Sequence, residues 1–325
     1  MITVFYRQGE SIQAKKLAEK DTIPDGSLWI DIESASNSDL DLIQQHCRIS
    51  LPSKSDVWKN NVLNRLYMEN GIAYMTAAII TKQDSPYPNI SAVTFILTPD
   101  SLITIRDISP TSFHMFSQRI QTVPDMFRTS AQALEGLLEE MITRVAHNME
   151  VVEEALDHFS HRIFDGEVLD KSDRNPSQMM KNLLKSVGTC ADLNSKTNES
   201  LHSINRLLHF FKKITPNDSE LEQDIDLMIS DVSVLTQQTH FASDKITFLL
   251  DAILGMINVE QNMIIKIFSV VSVFFMPPTL VASLYGMNFK HMPELDWVSG
   301  YPMAISIMIM CAIIPYLYFR KKGWL

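Results

Sequence analysis

The chain has 325 residues, 46% hydrophobic and 20% charged, with a formal net charge of −10, and is long enough for more than one domain. The charge is uneven: from Ile264 onward five basic residues face two acids, +3 in all, so the first 263 residues carry −13. Such an acidic portion excludes nucleic acid, whose phosphates need Lys and Arg, and is compatible with attracting cations; Cys47, Cys190 and Cys311, with no CxxC among them, exclude a zinc knuckle or disulfide framework and read as free thiols in a reducing compartment.

The opening MITVFYRQGE is apolar for only a few residues and has no small-residue cleavage site. It does not read as a signal peptide, and the chain before residue 264 is expected in the cytoplasm. Short β-branched and aromatic runs follow: ITVFYR, SLWIDIE, AYMTAAIITK, SAVTFILTP and LITIRD, bounded by Gly, Pro, Asp or Asn. These predict strands. SNSDLDLIQQHC between them predicts a helix with Ser or Asn as its cap. Together they predict an α/β domain with a mixed sheet.

Helices are expected from about residue 109. In the segment 130–164 apolar residues stand three and four apart, and a second helix is expected over about 173–213. ITPNDSE then supplies a helix-start signal. Between Pro216 and Pro277 there is no proline and one glycine, Gly255. Ile225, Met228, Val232, Leu235, Thr239, Ala242, Ile246, Leu249, Ile253 and Met256 alternate spacings of three and four, a heptad-like seam interrupted only by Thr239. One helix over about Ser219–Tyr285 would be roughly 100 Å long at 1.5 Å per residue.

Residues 267–289 and 298–319 contain no charge. Each run suffices to cross about 30 Å of hydrocarbon. The second ends in YLYFRKKGWL, aromatic residues and then bases, which places that end on the cytoplasmic side. Both termini are then cytoplasmic and the connecting loop is external. The expected division is an α/β domain with a helical portion over 1–215, a stalk over 216–263, a first span with its terminal motif over 264–289, a loop over 290–300, a second span over 301–319 and a basic tail over 320–325.

Along the first span Asn262, Ile265, Ser269, Ser272, Met276, Thr279, Ser283 and Gly286 again alternate spacings of three and four. Two readings stand. Small and hydroxylic residues let helix backbones approach closely; the same residues can line a pore with weak dipoles, constricted at Ile265 and Met276. Two spans cannot enclose a pore, so the second reading requires an oligomer. Pro277 and Pro278 remove backbone donors within the span, which membrane helices tolerate where neighbours or water satisfy the freed carbonyls.

YGMNF at 285–289, after a span carrying MPPT and before MPEL and a second span ending in a basic tail, resembles the CorA family of magnesium and cobalt transporters. The likeness is strongest from residue 248 to the end. It implies a funnel-shaped homopentamer in which each chain supplies an α/β cytoplasmic domain, a long stalk helix continuing into the pore-lining span, and an outer second span. By the resemblance, Gly286, Met287 and Asn288 form the external selectivity ring. Asn262, Ile265, Phe268, Ser272, Met276, Thr279 and Ser283 line the conduit, with Phe268 in place of Ser269. Lys266, Lys321 and Lys322, with Arg320, form a basic collar. Mg2+, Co2+ and Ni2+ are the implied permeants; zinc transport on the same scaffold and a non-conducting sensor are the alternatives. Cytoplasmic Mg2+ closes the pore by bridging carboxylates of neighbouring subunits. Asp56 matches one such acid, and its stalk partner is open among Asp224, Asp226 and Asp231. VWKNN follows Asp56 where relatives carry further acids, which implies a weaker site.

An amide at the outer mouth has a physical reason. Mg2+ sheds water reluctantly, and a ring of carboxylates would hold it. Amide oxygens can bind its hydration shell weakly enough for release and avoid a fixed charge near hydrocarbon; Asn288 can also cap the helix end. Glu294 and Asp296 in the loop raise the local cation concentration. Two charges moving inward gain about 4.6 kcal/mol per 100 mV. No glycine-rich phosphate loop occurs, so an ATP-driven pump has no support. No nucleophile–base spacing points to an enzyme, and no organic cofactor is expected. Asp157, His158 and His161 on neighbouring helical turns allow a metal site; a solvated polar face is the plainer reading.

Overall fold

The structure is a computed structural model and describes residues 1–18, 21–47, 49, 51, 66–81, 88–164, 176–215, 218–288 and 292–322. It divides into two compact units, Met1–Asp251 and Ala252–Leu325.

In the first unit, seven strands form one sheet: β1 (Ile2–Gln8), β2 (Ser11–Leu17), β3 (Ser27–Glu33), β4 (Leu66–Glu69), β5 (Ile72–Thr81), β6 (Asn89–Leu97) and β7 (Leu102–Arg106). Their order is β2-β1-β3-β7-β6-β5-β4. Only β3 and β7 pair in parallel; the other neighbours are antiparallel. Helix α1 (Asn37–Cys47) begins where Ser36 Oγ accepts from the Asp39 amide and Asp39 Oδ2 accepts from the Ser36 amide, a reciprocal cap. One apolar cluster joins Val4, Ile30, Ile32, Ile43, Ile96 and Ile103.

The alternation of strand residues sends Trp29, Asp31, Thr104 and Arg106 to the opposite face. There Trp29 stacks on Phe5 with centroids 4.4 Å apart. Arg106 grips Asp31 through Nε at 3.0 Å and Nη2 at 2.7 Å, and Thr104 Oγ1 donates to Asp31 Oδ1 at 2.8 Å. Asp31 and Arg106 are both buried, so this two-point ion pair locks the parallel seam. Helices α2 (Thr111–Thr122) and α3 (Ser130–Phe164) cover this face. A Cβ at Gly136 would come within 2.4 Å of Phe127 and 2.9 Å of Phe116, so α3 needs a glycine to sit this close to the aromatic layer.

Helix α4 (Pro176–Ile214) lies along β5. Among the described residues, strand β4 pairs with Ile72–Met75 and no strand pairs with the rest of that edge. Ser203 Oγ accepts from the Ala78 amide at 2.8 Å, and Ser200 Oγ donates to the Ala78 carbonyl at 2.7 Å. Two serines of α4 therefore satisfy an edge that would otherwise be exposed for pairing.

Helix α5 runs from Ser219 to Tyr285, the range expected from the sequence. Every seam residue from Ile225 to Ile253 is buried. Thr239, the one polar member, is bonded: Asn194 Nδ2 donates to its carbonyl at 2.9 Å, and its hydroxyl lies 3.1 Å from Asn198 Oδ1. A buried polar group placed in a seam keeps its partners.

The second unit holds the remainder of α5, a short 3-10 turn over Pro293–Asp296, and α6 (Gly300–Lys321). Both α5 and α6 contain a stretch long and apolar enough to cross a membrane, with mean hydropathy 1.9. The helix of α5 continues through Pro277 and Pro278, and that of α6 through Pro315.

Candidate ion-conducting face and metal ligands

In the second unit α5 has two unlike faces. Val270 is buried, and Phe274, Pro277, Pro278, Val281 and Tyr285 are half-buried; these recur every three or four residues. The Phe274 ring lies 6.3 Å from Tyr316 of α6, which makes this the face covered by the second helix. Asn262, Ile265, Phe268, Ser272, Met276, Thr279 and Ser283 are all exposed. At 100° per residue their mean direction is about 180° from the covered face. The expected stripe is therefore gathered on one side and is left uncovered by the described residues. Ser269 is exposed as well as Phe268.

Two hydroxyls on this stripe have a defined orientation. Ser272 Oγ donates to the Phe268 carbonyl at 2.8 Å, and Thr279 Oγ1 donates to the Phe275 carbonyl at 2.6 Å. Each hydroxyl proton is thus spent on its own helix, and the oxygen lone pairs face outward. At these two positions the stripe presents acceptors, which suit the water shell of a cation. The sequence marks these residues only as small and hydroxylic; their one-way polarity follows from the helix geometry around them.

The stripe ends at the motif. The Gly286 amide donates to the Ala282 carbonyl at 3.0 Å and the Met287 amide to the Leu284 carbonyl at 3.4 Å. Gly286, Met287 and Asn288 are all exposed just beyond the last helical residue. Asp296 is exposed in the 3-10 turn that also contains Glu294. Lys266 is exposed on α5. Lys321 and Lys322 are exposed at the end of α6, where Lys322 Nζ stands 5.3 Å from the Tyr318 ring centre.

The acids expected to hold regulatory metal are placed differently. Asp56 lies outside the described residues. Asp226 is engaged by Lys212, whose Nζ is 2.7 Å from both carboxylate oxygens. Asp224 is half-buried beside Glu135 of α3. Burial pushes the Glu135 carboxyl up to about 7; Asp224, Glu139 and Asp218 add to the rise, and Arg119 opposes it. Asp231 is exposed on α5. Among the described residues no group of three His, Cys, Asp or Glu side chains is placed to hold a metal ion. In the DHFSHR segment Asp157 pairs with Lys245 of α5, which holds its carboxyl below the usual range. This aspartate therefore serves as a helix–helix contact. All three cysteines are free, and burial pushes the Cys190 thiol up to about 11.

An α/β unit, one very long helix and a second apolar helix, with an exposed stripe of small and hydroxylic residues ending in Gly-Met-Asn, are the features of a two-span membrane protein. Comparison with known proteins makes the class specific. The family described as CorA-like Mg2+ transporter protein matches residues 24–321, and the chain belongs to that family, which is one of ion transporters and not of enzymes. It is 33% identical to the magnesium transport protein CorA of Haemophilus ducreyi, with 92% of each chain covered. It is 31% identical to that of Yersinia pseudotuberculosis over the full length of both. The solved CorA magnesium transporter from Methanocaldococcus jannaschii has the same fold, with a TM-score of 0.78 at 17% identity over 100% of this chain and 99% of that one. The cytoplasmic domain of ZntB from Vibrio parahaemolyticus is also similar, with a TM-score of 0.52 at 11% identity over 79% of this chain and 97% of that one.

Proposed function

We propose that this protein is a passive, gated importer of Mg2+, with Co2+ and Ni2+ as further permeants, conducting through a homopentameric pore. The observation that carries the reading is the stripe from Asn262 to Ser283, which is exposed, turned away from the face covered by α6 and terminated by Asn288. A polar stripe on a membrane helix is costly against lipid and favourable against water and a cation. Copies of the chain around an axis supply that water. The magnesium transport named for relatives at 31–33% identity supports Mg2+ as cargo.

In this reading Gly286, Met287 and Asn288 meet the hydrated ion at the outer mouth, with Glu294 and Asp296 concentrating cations there. Lys266, Lys321 and Lys322 stand at the cytoplasmic end, and the protein sits in the inner, or plasma, membrane with both termini on the cytoplasmic side. The partners are further copies of the chain, the bilayer and divalent ions; no organic cofactor takes part. Cytoplasmic Mg2+ closes the pore. Asp56 is the proposed contact on one side. Asp224 and Asp231 are the better placed of its candidate stalk partners, because Asp226 already holds Lys212.

Reconstituted vesicles containing a Mg2+-sensitive dye test this. An inside-negative potassium diffusion potential should speed entry with no ATP present, and preloading the lumen with Mg2+ should slow it where the cytoplasmic face is inward. Entry indifferent to the potential would overturn the passive mechanism. Entry indifferent to luminal Mg2+ would overturn the closure.

A further inference from the structure

Helix α6 has two unlike faces of its own. Ala304 is buried, and Met308, Cys311, Pro315 and Phe319 are half-buried; these mark the side covered within its own chain. Ile309, Met310, Ile313, Ile314 and Leu317 are all exposed, and at 100° per residue their mean direction is about 170° from the covered side. Two bases close this apolar face. Arg320 and Lys321 are exposed and fall within about 50° on either side of its centre, whereas Lys322 falls about 150° away. Lys322 is also the base that stands over the Tyr318 ring, at 5.3 Å. No Asp or Glu occurs from Trp297 onward, and neither Arg320 nor Lys321 has an ion-pair partner among the described residues.

The dimensions fit one lipid. Met310 and Arg320 are ten residues apart, about 15 Å of helix, and one leaflet holds half of the bilayer's roughly 30 Å of hydrocarbon. Met310, Ile313, Ile314 and Leu317 thus line the depth of a leaflet's acyl chains, and Arg320 and Lys321 stand at the depth of its phosphates. Tyr316 and Tyr318, exposed on the two flanks, suit the same interface. A guanidinium presents donors in a fixed fork that matches phosphate, and the neighbouring ammonium adds a second charge. The outer half of the face differs: residues 300–309 contain no base, so nothing there pairs with a headgroup.

We propose that Arg320 and Lys321 bind the phosphate of an anionic phospholipid in the cytoplasmic leaflet, whose acyl chains lie along Met310, Ile313, Ile314 and Leu317. The inference rests on the membrane orientation proposed above and assigns the uncovered face of α6 a ligand of its own, separate from the stripe on α5. The lipid anchors the inner end of α6 at a fixed depth. Each base near an anionic surface strengthens binding about fivefold, so the pair produces a preference that a neutral lipid does not share.

The test uses the full chain in phosphatidylcholine vesicles with a trace of phosphatidylglycerol or phosphatidylcholine spin-labelled near the end of one acyl chain. Electron spin resonance reads the fraction of label immobilised on the protein. Wild type should hold the phosphatidylglycerol label severalfold more strongly than the phosphatidylcholine label. Arg320→Gln with Lys321→Gln should abolish the preference, and Lys322→Gln should leave it. Sodium phosphate should weaken it no more than NaCl at the same ionic strength. Equal holding of the two labels by wild type would overturn the site, as would a preference that survives in the double variant or falls as far in Lys322→Gln. Displacement by phosphate beyond that by NaCl would make it a site for free phosphate and overturn the lipid. Mg2+ uptake by the same vesicles reads the conduit separately: uptake without lipid preference overturns the lipid site and leaves the conduit standing, and lipid preference without uptake does the reverse.

Discussion

Glu135 is one carboxylate whose chemistry departs from its type. Its folded pKa is about 7 against an ordinary 4.5, because α3 half-buries it and Asp224, Glu139 and Asp218 surround it. The folded state keeps a proton that the unfolded chain gives up over that interval. The stabilising contribution is therefore full below about pH 4.5 and lost as pH rises through about 7. Glu135→Gln removes the titration. The variant should unfold close to wild type at pH 5. At pH 8 it should be more stable by on the order of 1 kcal/mol, once the screening of a partly exposed site is allowed for. Thermal unfolding of both proteins at the two pH values measures this, and equal melting temperatures at pH 8 would contradict it. The same acids bear on Asp224 as a metal ligand: above pH 7 an ionised Glu135 deepens the negative potential around it.

At the scale of elements, α5 is where local rules and function meet. The proposed conduit face carries Thr279 and Ser272, whose protons are committed to Phe275 and Phe268. Thr279→Ser keeps an outward oxygen and should retain most of the Mg2+ flux. Thr279→Val keeps the shape and removes the oxygen, and should lower flux about tenfold or more, the loss expected when one polar contact of about 1.4 kcal/mol is removed from the path. Equal uptake by both variants in dye-loaded vesicles would show that the hydroxyl plays no part.

Much of this helix was legible in the sequence, because seam, stripe and caps all repeat at helical spacing. The five expected strands are likewise present as β1, β3, β5, β6 and β7, each with a run of buried residues. β2 and β4 were not legible. SIQAKKL buries only Ile12, and LYME buries nothing fully, since both are edge strands whose side chains carry little packing signal. Nor does periodicity show that Asp226 faces Lys212 or that Asp157 faces Lys245. Those pairs depend on how α3, α4 and α5 are registered, which is set by contacts between residues 14 and 88 positions apart.

For the whole molecule, one chain is insufficient for the proposed conduit. The stripe and the Gly-Met-Asn end are both exposed in a single copy, and two membrane helices cannot enclose water. In the proposed function charge divides the labour: the acidic first portion of −13 would gather cations, and the neutral amide of Asn288 would admit them without stripping their water. Mg2+ uptake into dye-loaded vesicles under a fixed inside-negative potential, comparing wild type with Asn288→Ala, decides whether that amide admits the ion. Uptake by Asn288→Ala is expected to fall to the level of protein-free vesicles, while a Ser283→Cys reporter added to the same variant still links copies through a short bis-maleimide. Uptake equal to wild type would contradict it.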